Sequence, residues 1–478
     1  MPNLLFLFTD EQRADTLSAY GNDRISMPNL DALASESVVF ENSYVTQPVC
    51  TPSRSTLLTG LYPHTNGCTA NNIPIQPGTP CLPEMLPKGK YATGYHGKWH
   101  LGDEIFAQHG FDDWISIEDG YRKHYGPERD HGAFSTYHAF LSEAGIEPEN
   151  GEVYGRGQCA RLPERLGKPA YLAREATRFI REHHREDFVL FVNFLEPHMP
   201  FFGPRDDQYD PDFVNLPENF DDPPADDQPL KTRIFAKSYH DRGHGGFDLR
   251  TESDWRRVIS NYWGLCSLVD THVGTILNSL RKYGVYDDTI IVFTSDHGDM
   301  MGSHRLLAKC VMFEEALKVP MMVKLPGRTE GARIANPVSQ IDLIPTLLDA
   351  MEEDAPSSLQ GRSLMPLIEG EGEFEPGDVF IEWNGRDTGL SWKSRVAGQE
   401  SVGLPEGISE ERALAAVSDS VRSVVTPDGW KFNFSSLGEY ELYNLGNDPF
   451  ERVNLAGRSD IRPLMEELGE RIRNWQKT

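Results

Sequence analysis

The sequence predicts an α/β fold, with a large, doubly wound and mostly parallel sheet flanked by helices and a smaller α+β unit after it. Four short apolar runs are nearly continuous, which is typical of strands buried on both faces of a parallel sheet. Helical stretches lie between these runs, so strands and helices alternate along the chain. The length of 478 residues suffices for one large domain and a smaller companion.

Each predicted strand is followed closely by residues that can bind metals or move protons. The strands are expected at 3–9, 91–95, 188–192 and 289–293. The residues after them are, in the same order, Asp10 and Glu11, Lys98 and His100, Glu196 and His198, and Asp296 and His297. Ligands of open α/β sheets bind beyond the carboxyl ends of the strands. The pattern therefore predicts one functional site at this edge.

The remaining elements complete the predicted framework. Helices are expected at 27–34, 171–183 and 258–283. Two long stretches, 112–170 and 203–254, depart from the α/β framework and are called the first and second excursions.

The C-terminal part has a different composition. Residues 426–429 (TPDG) separate apolar runs at 421–425 and 430–433, which indicates a hairpin, and a closing helix is expected at 461–475. We therefore expect an α/β catalytic domain over 1–365 and a subdomain with a small antiparallel sheet over 366–478.

The charge balance excludes several partners. Lysine and arginine number 46 against 73 aspartates and glutamates, which gives a formal net charge of −27. Nucleic acids and anionic membranes both require a basic face, so neither is expected as a partner. No run approaches the roughly 20 apolar residues of a membrane span, and the apolar start lacks the flanks of a signal peptide. We expect a cytoplasmic location, or a periplasmic or secreted one where a signal peptide has been removed.

Cys50 stands apart from the other cysteines of the chain. No CxxC pair occurs among the six, so reduced thiols are expected. Residues 50–54 read CTPSR. Pro52 favours the first turn of a helix with Thr51 as its N-cap, which places Cys50 just before a helix N-terminus, where free N–H groups favour an anion. Arg54 lies one turn inside and can point back to the same place.

Three segments together resemble the signatures of the type I sulfatases of the alkaline phosphatase superfamily. CTPSR at 50–54 continues into STLLTG, residues 94–102 read GYHGKWHLG, and LYNL at 442–445 precedes NDP and NLA. The resemblance spans nearly the whole chain apart from the two excursions. It implies an alkaline phosphatase-like fold and a Cys50 that a formylglycine-generating enzyme oxidises to formylglycine, whose hydrated form is the nucleophile.

The resemblance also implies one divalent cation, calcium, held by Asp10, Glu11, Asp296, His297 and the modified Cys50. Calcium prefers carboxylate oxygens. The family usually has Asp where Glu11 stands and often Asn where His297 stands. Glu11 could instead hydrogen-bond a neighbour, with Gln12 as the ligand, and the imidazole of His297 leaves magnesium or manganese open.

The catalytic roles follow from the same resemblance. Lys98 and Lys309 match the lysines that bind the sulfate, and Arg54 would hold the hydrated nucleophile. His100 would contact the nucleophile and take its proton. His198 would protonate the leaving alkoxide, a role that suits histidine near neutral pH.

The predicted activity is hydrolysis of a sulfate monoester, with a small molecule or an oligosaccharide as substrate. The alternative is a phosphonate monoester hydrolase or phosphodiesterase of the same superfamily, which uses the same nucleophile. A third hypothesis is a binding protein that keeps the fold without catalysis, which the intact set of candidate residues disfavours. The sequence leaves the oligomeric state open.

The excursions favour a saccharide. Arg, Lys and His cluster at 122–131 and 231–244, which suits carboxylate or sulfate groups elsewhere on a sugar, although ordinary exposed loops explain them equally well. Aromatic residues that could stack on a sugar ring are Tyr121, Tyr125, Phe201 and Phe202.

Overall fold

Two sheets organise the residues that the structure describes. The structure is a computed structural model and describes residues 2–370, 374–385 and 404–477. The strands are β1 (Asn3–Asp10), β2 (Val38–Tyr44), β3 (Ala92–Gly97), β4 (Asp113–Ser116), β5 (Phe188–Pro197), β6 (Thr289–Ser295), β7 (Lys318–Val319), β8 (Met321–Lys324), β9 (Ala332–Ser339), β10 (Val379–Trp383), β11 (Val421–Val425), β12 (Trp430–Ser435) and β13 (Glu441–Asn444). The α-helices are α1 (Pro28–Ser35), α2 (Cys50–Thr59), α3 (Pro63–Asn66), α4 (Leu82–Met85), α5 (Thr136–Glu143), α6 (Arg156–Ala160), α7 (Lys168–His183), α8 (Leu230–Arg242), α9 (Glu252–Tyr283), α10 (Glu314–Leu317), α11 (Leu343–Ala350), α12 (Met365–Glu369), α13 (Glu410–Val417) and α14 (Arg462–Trp475).

The larger sheet has the order β4-β3-β5-β1-β6-β8-β2-β7, with β9 paired to β2. The pairs from β4 to β6 are parallel, and β8 introduces antiparallel neighbours. Side chains of the central strand β1 alternate between two core layers, with Leu5 and Leu7 in one and Leu4, Phe6 and Phe8 in the other. Apolar residues on both faces explain the continuous apolar run, and the predicted doubly wound, mostly parallel sheet is confirmed.

Two helices begin earlier than the sequence predicts. α7 begins at Lys168 and α9 at Glu252, three and six residues before the predicted starts. The opening turn of α9 is polar, because Thr251 and Asp254 form a capping box there. Apolar periodicity cannot detect a polar first turn, whereas the capping residues in the sequence can.

The smaller sheet has the order β10-β11-β12-β13 and is antiparallel. The predicted hairpin is present, with Gly429 at φ 85° in its turn. α14 packs on this sheet through Leu468 and Ile472. The domain boundary predicted at 365/366 falls inside α12, and that boundary stays a prediction.

The excursions carry structure of their own. The first contains β4, α5 and α6, and the second contains α8. Among the described residues, no helix combines the length and apolar character needed to cross a bilayer.

Candidate active site

Four neighbouring parallel strands bring the predicted residues to one edge of the larger sheet. β3, β5, β1 and β6 are adjacent in that order. Asp10 ends β1, while Lys98, His198 and Asp296 directly follow β3, β5 and β6. All of these side chains are buried. The structure therefore assembles at one place the residues that the strand ends predict.

Gly97 sets the path of the chain into Lys98. Its φ is 133°, and a Cβ on it would lie 2.1 Å from the carbonyl oxygen of Asn193 on β5. No side chain fits in that space, so β3 and β5 can stay paired up to this point only with glycine here.

Cys50 is the first residue of α2, preceded by Val49, and it is buried. The expectation of Thr51 as N-cap is therefore wrong: Thr51 Oγ1 instead donates to the His100 carbonyl at 2.7 Å. Pro52 is the third helical residue. Every N–H of the first turn lacks an intrahelical partner, so proline is tolerated throughout that turn and does not mark its first position.

Asp10, Cys50, Asp296 and His297 form a buried group, called here the donor group, whose potential ligand atoms lie within 4.8 Å of one another. His297 Nε2 is 3.2 Å from Cys50 Sγ, 3.6 Å from Asp296 Oδ1 and 3.7 Å from Asp10 Oδ1. Burial opposes a charge on His297, but Asp296 and Cys50 raise the pKa of its imidazole to about 9. Two carboxylates and an imidazole are donors that suit a divalent cation, which would replace that proton.

Glu11 lies in a neighbouring group rather than in the donor group. Its Oε2 accepts a hydrogen bond from Lys309 Nζ at 2.8 Å and is 3.3 Å from His198 Nε2. Burial raises the pKa of Glu11 to about 8, opposed by Lys309. The structure shows the alternative in which Glu11 contacts its neighbours, and a role of Glu11 as metal ligand stays a prediction. Gln12 donates through its side chain to Thr16 at 3.0 Å.

Arg54 is fully buried beneath the donor group. Its guanidinium donates to Asp10 Oδ2 and to Asp296 Oδ2, both at 2.9 Å. Its NH1 group donates to Asn193 Oδ1 at 2.9 Å. Arg54 therefore fixes the two carboxylates relative to each other, and its contact with a substituent on residue 50 stays a prediction. Asn193 was not predicted, although a polar residue inside the apolar run of β5 is a signal that could have found it.

Two lysines flank Cys50 with positive charge. Lys98 Nζ donates to Asp10 Oδ2 at 2.5 Å, and Lys309 pairs with Glu11. Burial and Asp10 oppose ionisation of the Cys50 thiol, yet Lys309, Lys98 and His297 outweigh them and lower its pKa. The site is therefore built to stabilise negative charge at residue 50.

His100 lies beside the site with a strained backbone. Its φ is 60°, and Glu104 accepts hydrogen bonds from the backbone N–H groups of Trp99 and His100 at 2.8 and 2.6 Å. Its ring packs on Tyr121, and Nε2 is 3.2 Å from Asn72 Oδ1. Burial and Lys98 lower its pKa well below the usual range. The predicted contact with the nucleophile stays a prediction, and neither Asn72 nor Glu104 was predicted.

His198 has a defined orientation. Its Nδ1 is 2.8 Å from the Met199 carbonyl oxygen, which can only accept, so Nδ1 donates. Nε2 consequently faces Glu11 and the site. Burial and Lys309 lower its pKa well below the usual range, so the ring is neutral at neutral pH in the free protein.

Most cations of the excursions are paired away from the site. Arg122 pairs with Glu152, Arg129 with Asp103, and Lys237 with Asp241. Lys231 donates to the Cys310 carbonyl and lies over the Trp383 ring. The excursion cation that reaches the site is Arg156, which the sequence analysis did not single out. Its position depends on the fold of the first excursion, and no local sequence signal marks it.

Two of the four predicted stacking residues cannot contact a sugar. Phe201 and Tyr125 are buried in protein contacts, against Tyr262 and Phe106 respectively. Their apolar rings are used for packing the excursions. Tyr121 remains partly exposed next to His100.

A doubly wound sheet with a buried, anion-stabilising cysteine beside two carboxylates at its edge is an arrangement that suits a hydrolase. Residues 2–353 match the model of the Sulfatase family, about three quarters of the chain. The chain belongs to the sulfatase family and is a sulfuric ester hydrolase. The predicted family and reaction are thus confirmed.

Relatives in sequence include sulfatases, and solved structures share the fold. The chain is 25% identical over 508 residues to an N-acetylglucosamine-6-O-sulfatase of Bacteroides thetaiotaomicron, covering 100% of this chain and 86% of that protein. It is 28% identical to an ulvan-active sulfatase of Formosa agariphila, covering 77% and 65%. The phosphonate monoester hydrolase of Silicibacter pomeroyi has a TM-score of 0.79 at 21% identity, covering 100% and 95%. A protein solved with its substrate D-glucosamine-2-N,6-O-disulfate has a TM-score of 0.73 at 21% identity, covering 100% and 97%.

Proposed function

We propose that this sulfatase removes a sulfate group from a saccharide and uses formylglycine made from Cys50 as its nucleophilic residue. The observation that carries the proposal is the position of Cys50, at the start of α2, against the donor group and in the field of Lys98 and Lys309. The names of the two relatives, an N-acetylglucosamine-6-O-sulfatase and an ulvan-active sulfatase, support a sugar substrate. A formylglycine-generating enzyme is then the partner in maturation.

The donor group is proposed to hold one divalent cation, calcium, with magnesium and manganese as alternatives. Asp10, Asp296, His297 and residue 50 are the proposed ligands, with Glu11 as a further candidate. When bound, the cation polarises the oxygens of the nucleophile and of the sulfate ester.

The surrounding residues have separate proposed roles in the reaction. Lys98 and Lys309 offer charge to the oxygens of the sulfate, where negative charge develops during transfer. Arg54 holds Asp10 and Asp296 in place. His198 presents Nε2 to the site and is proposed to pass a proton to the leaving oxygen. Since the neutral ring keeps its own proton on Nδ1, Nε2 must first take a proton, and Glu11, which lies 3.3 Å away and has a pKa of about 8, is the proposed source. His100 is the proposed base that later accepts a proton from the nucleophile.

Mass spectrometry of the peptide that contains residue 50 tests the nucleophile. We expect the mass of the aldehyde in place of the thiol, and carbonyl-specific labelling of that peptide alone. Full activity in a sample whose Cys50 is wholly unmodified would end the proposal.

A substrate panel tests the reaction. Rates on defined sulfated mono- and oligosaccharides are compared with rates on an aryl sulfate, a phosphate diester and a phosphonate ester. We expect desulfation of at least one saccharide with the highest kcat/KM of the panel. Efficient turnover of the phosphonate or diester without any saccharide turnover would support the phosphonate hydrolase instead.

A further inference from the structure

A buried ion cluster of the first excursion lies beside His198. Glu118 accepts a hydrogen bond from Arg156 Nε at 2.7 Å and another from Lys168 Nζ. Burial alone would raise the pKa of Glu118, but the two cations hold it at about 2. Two cations therefore share Glu118. Neighbouring Glu196 carries only part of a negative charge near neutral pH, because burial raises its pKa to about 7, so part of a positive charge is left in excess.

The excess charge is exposed through Arg156. The side chains of Lys168 and Glu118 are 3% and 5% exposed, whereas that of Arg156 is 28% exposed. Of the three side chains, that of Arg156 is therefore the one that a ligand can reach. Such a fixed guanidinium loses little freedom when it binds an anion.

The guanidinium spans the space between the two histidines of the site. Its NH2 group donates to the Tyr121 hydroxyl at 2.9 Å, and Tyr121 packs on the ring of His100. Its NH1 group is 3.5 Å from His198 Nδ1. Since Nδ1 donates to Met199, that approach sets donor against donor. Among the described residues, NH1 thus has this long contact where Nε and NH2 have Glu118 and Tyr121.

We propose that NH1 of Arg156 binds a second anionic group of the substrate, a carboxylate or an uncleaved sulfate on the saccharide, and so determines specificity. This inference rests on the proposed saccharide substrate. Lys98 and Lys309 are already paired with Asp10 and Glu11 next to Cys50, so they serve the group that is transferred. Arg156 lies outside the donor group, with His198 on one side and Tyr121 on the other. The acidic chain makes such a local cation necessary for a multiply charged ligand.

The test compares sets of three sulfated saccharides that share the cleaved sulfate and differ by one further group. For each accepted position, one member carries no other charge, a second carries a uronic acid carboxylate and a third carries an N-sulfate. An aryl sulfate completes the set. Values of kcat/KM are measured for the wild type, Arg156→Gln, Arg156→Lys and Arg161→Gln. Arg161 is an exposed cation of the same excursion and serves as the control.

Arg156→Gln is expected to lose roughly 10- to 100-fold in kcat/KM on the doubly anionic saccharide that the site prefers. It should lose less than about threefold on the singly charged saccharide and the aryl sulfate, because a neutral second group has no charge to lose. The loss in kcat/KM for Arg156→Lys should be intermediate, since lysine keeps the positive charge but lacks the planar guanidinium that can donate two parallel hydrogen bonds. Comparison of the saccharides that carry a carboxylate or an N-sulfate shows which of the two anions Arg156 recognises. In both variants Glu118 still has Lys168 as its ion-pair partner. Thermal unfolding checks that both variants fold.

The outcomes separate the two proposals. Equal losses on every substrate would make Arg156 part of the general catalytic machinery, and no loss on any would remove it from recognition; either result overturns this inference alone. If no saccharide is desulfated by the wild type, the proposed substrate fails and this inference fails with it. An independent readout is ionic strength, since the wild-type preference for the doubly anionic member should shrink with added salt. A preference unchanged by salt in the wild type would also overturn the inference.

Discussion

Two buried clusters of charged side chains in this molecule have similar composition, but their charges are paired differently. The donor group and its cations lie at the carboxyl edge of the larger sheet. The second cluster, called here the interface cluster, joins that sheet to the smaller one and consists of Tyr44, Glu314, Lys431 and Glu451. Lys431 Nζ is 3.0 Å from Glu314 and 2.7 Å from Glu451, and Tyr44 donates to Glu314 at 2.9 Å.

The interface cluster is closed on itself. Burial, together with Glu314, raises the pKa of Glu451 to about 8 despite Lys431, so Glu451 is protonated at neutral pH. Burial opposes ionisation of Glu314, but Lys431 lowers its pKa. One carboxylate and one ammonium then cancel. At the active site, by contrast, Lys98, Lys309 and Arg54 surround Cys50 and the carboxylates of the donor group. The potential ligand atoms of that group lie within 4.8 Å of one another. Burial of charged side chains therefore does not by itself identify a functional site. A buried cluster whose positive and negative charges do not cancel does identify one.

The largest effect should come from Cys50→Ala. Without the proposed nucleophilic residue, activity should fall by about 10⁴-fold or more. The control Cys266→Ala removes a buried thiol of α9 and should leave kcat close to wild type. Both variants should keep the wild-type circular dichroism spectrum. Substantial residual activity in Cys50→Ala would show that the donor group works without residue 50.

Removal of the metal should have the next largest effect. Asp296→Ala takes one carboxylate from the donor group and frees Arg54 from half of its pairing. We expect no bound divalent cation by elemental analysis and activity lower by roughly 10³-fold. Asp342→Asn, which alters a buried carboxylate at a turn outside the site, should keep the metal. Active wild-type protein without any bound metal would contradict the assignment.

His198→Ala should separate substrates by their leaving group. A positioned acid helps most when the leaving alkoxide is basic, so kcat on a sugar or alkyl sulfate should fall by about 10²- to 10³-fold. The loss on an activated aryl sulfate should be at least tenfold smaller. His64→Ala, a half-buried histidine paired with Glu382, is the control. Equal losses on both substrates would assign His198 a different role.

Lys431→Met should affect stability rather than catalysis. It leaves Glu314 buried without its cation, so the free energy of unfolding should fall by about 3–5 kcal/mol. The kcat/KM of the protein that remains folded should stay close to wild type. Lys90→Met, at a partly exposed pair with Glu353, should cost less than about 1 kcal/mol. Equal costs in urea unfolding would mean that the interface cluster contributes no more than a surface pair.

Glu451→Gln should show the smallest effect at acidic pH and a defined pH dependence. The pKa of Glu451 is about 8 in the folded protein, above its value of about 4.5 in the unfolded chain. The folded state therefore binds the extra proton, and the wild type loses stability as pH rises from about 5 to 8. The glutamine variant lacks this loss, so it should lie within about 1 kcal/mol of the wild type near pH 5 and exceed it by about 4 kcal/mol at pH 8. Parallel stability curves would contradict a protonated Glu451.

The sequence predicts the catalytic half of this comparison better than the structural half. Asp10, Lys98, His198 and Asp296 could be predicted because each follows a continuous apolar run, and parallel strands end at a common edge. Cys50 is recognisable from its motif, although the helix begins two residues earlier than the sequence predicts, with Val49 rather than Thr51 as its N-cap. Glu314, Lys431 and Glu451 carry no such signal, since they lie on unrelated elements that meet only when the two sheets dock.

The sequence alone determined the alternation of strands and helices, the edge at which the site forms and the resemblance to sulfatases, because these follow from local periodicity and short motifs. Only the tertiary structure decided that Glu11 pairs with Lys309 and His198, that Asn193 holds Arg54, and that Arg156 rather than Arg122 or Arg129 reaches the site. These contacts join residues tens to hundreds of positions apart, and their choice depends on which side chains packing buries together. Burial also sets the pKa values that distinguish a closed cluster from one built to bind an anion, and burial is a property of the folded chain.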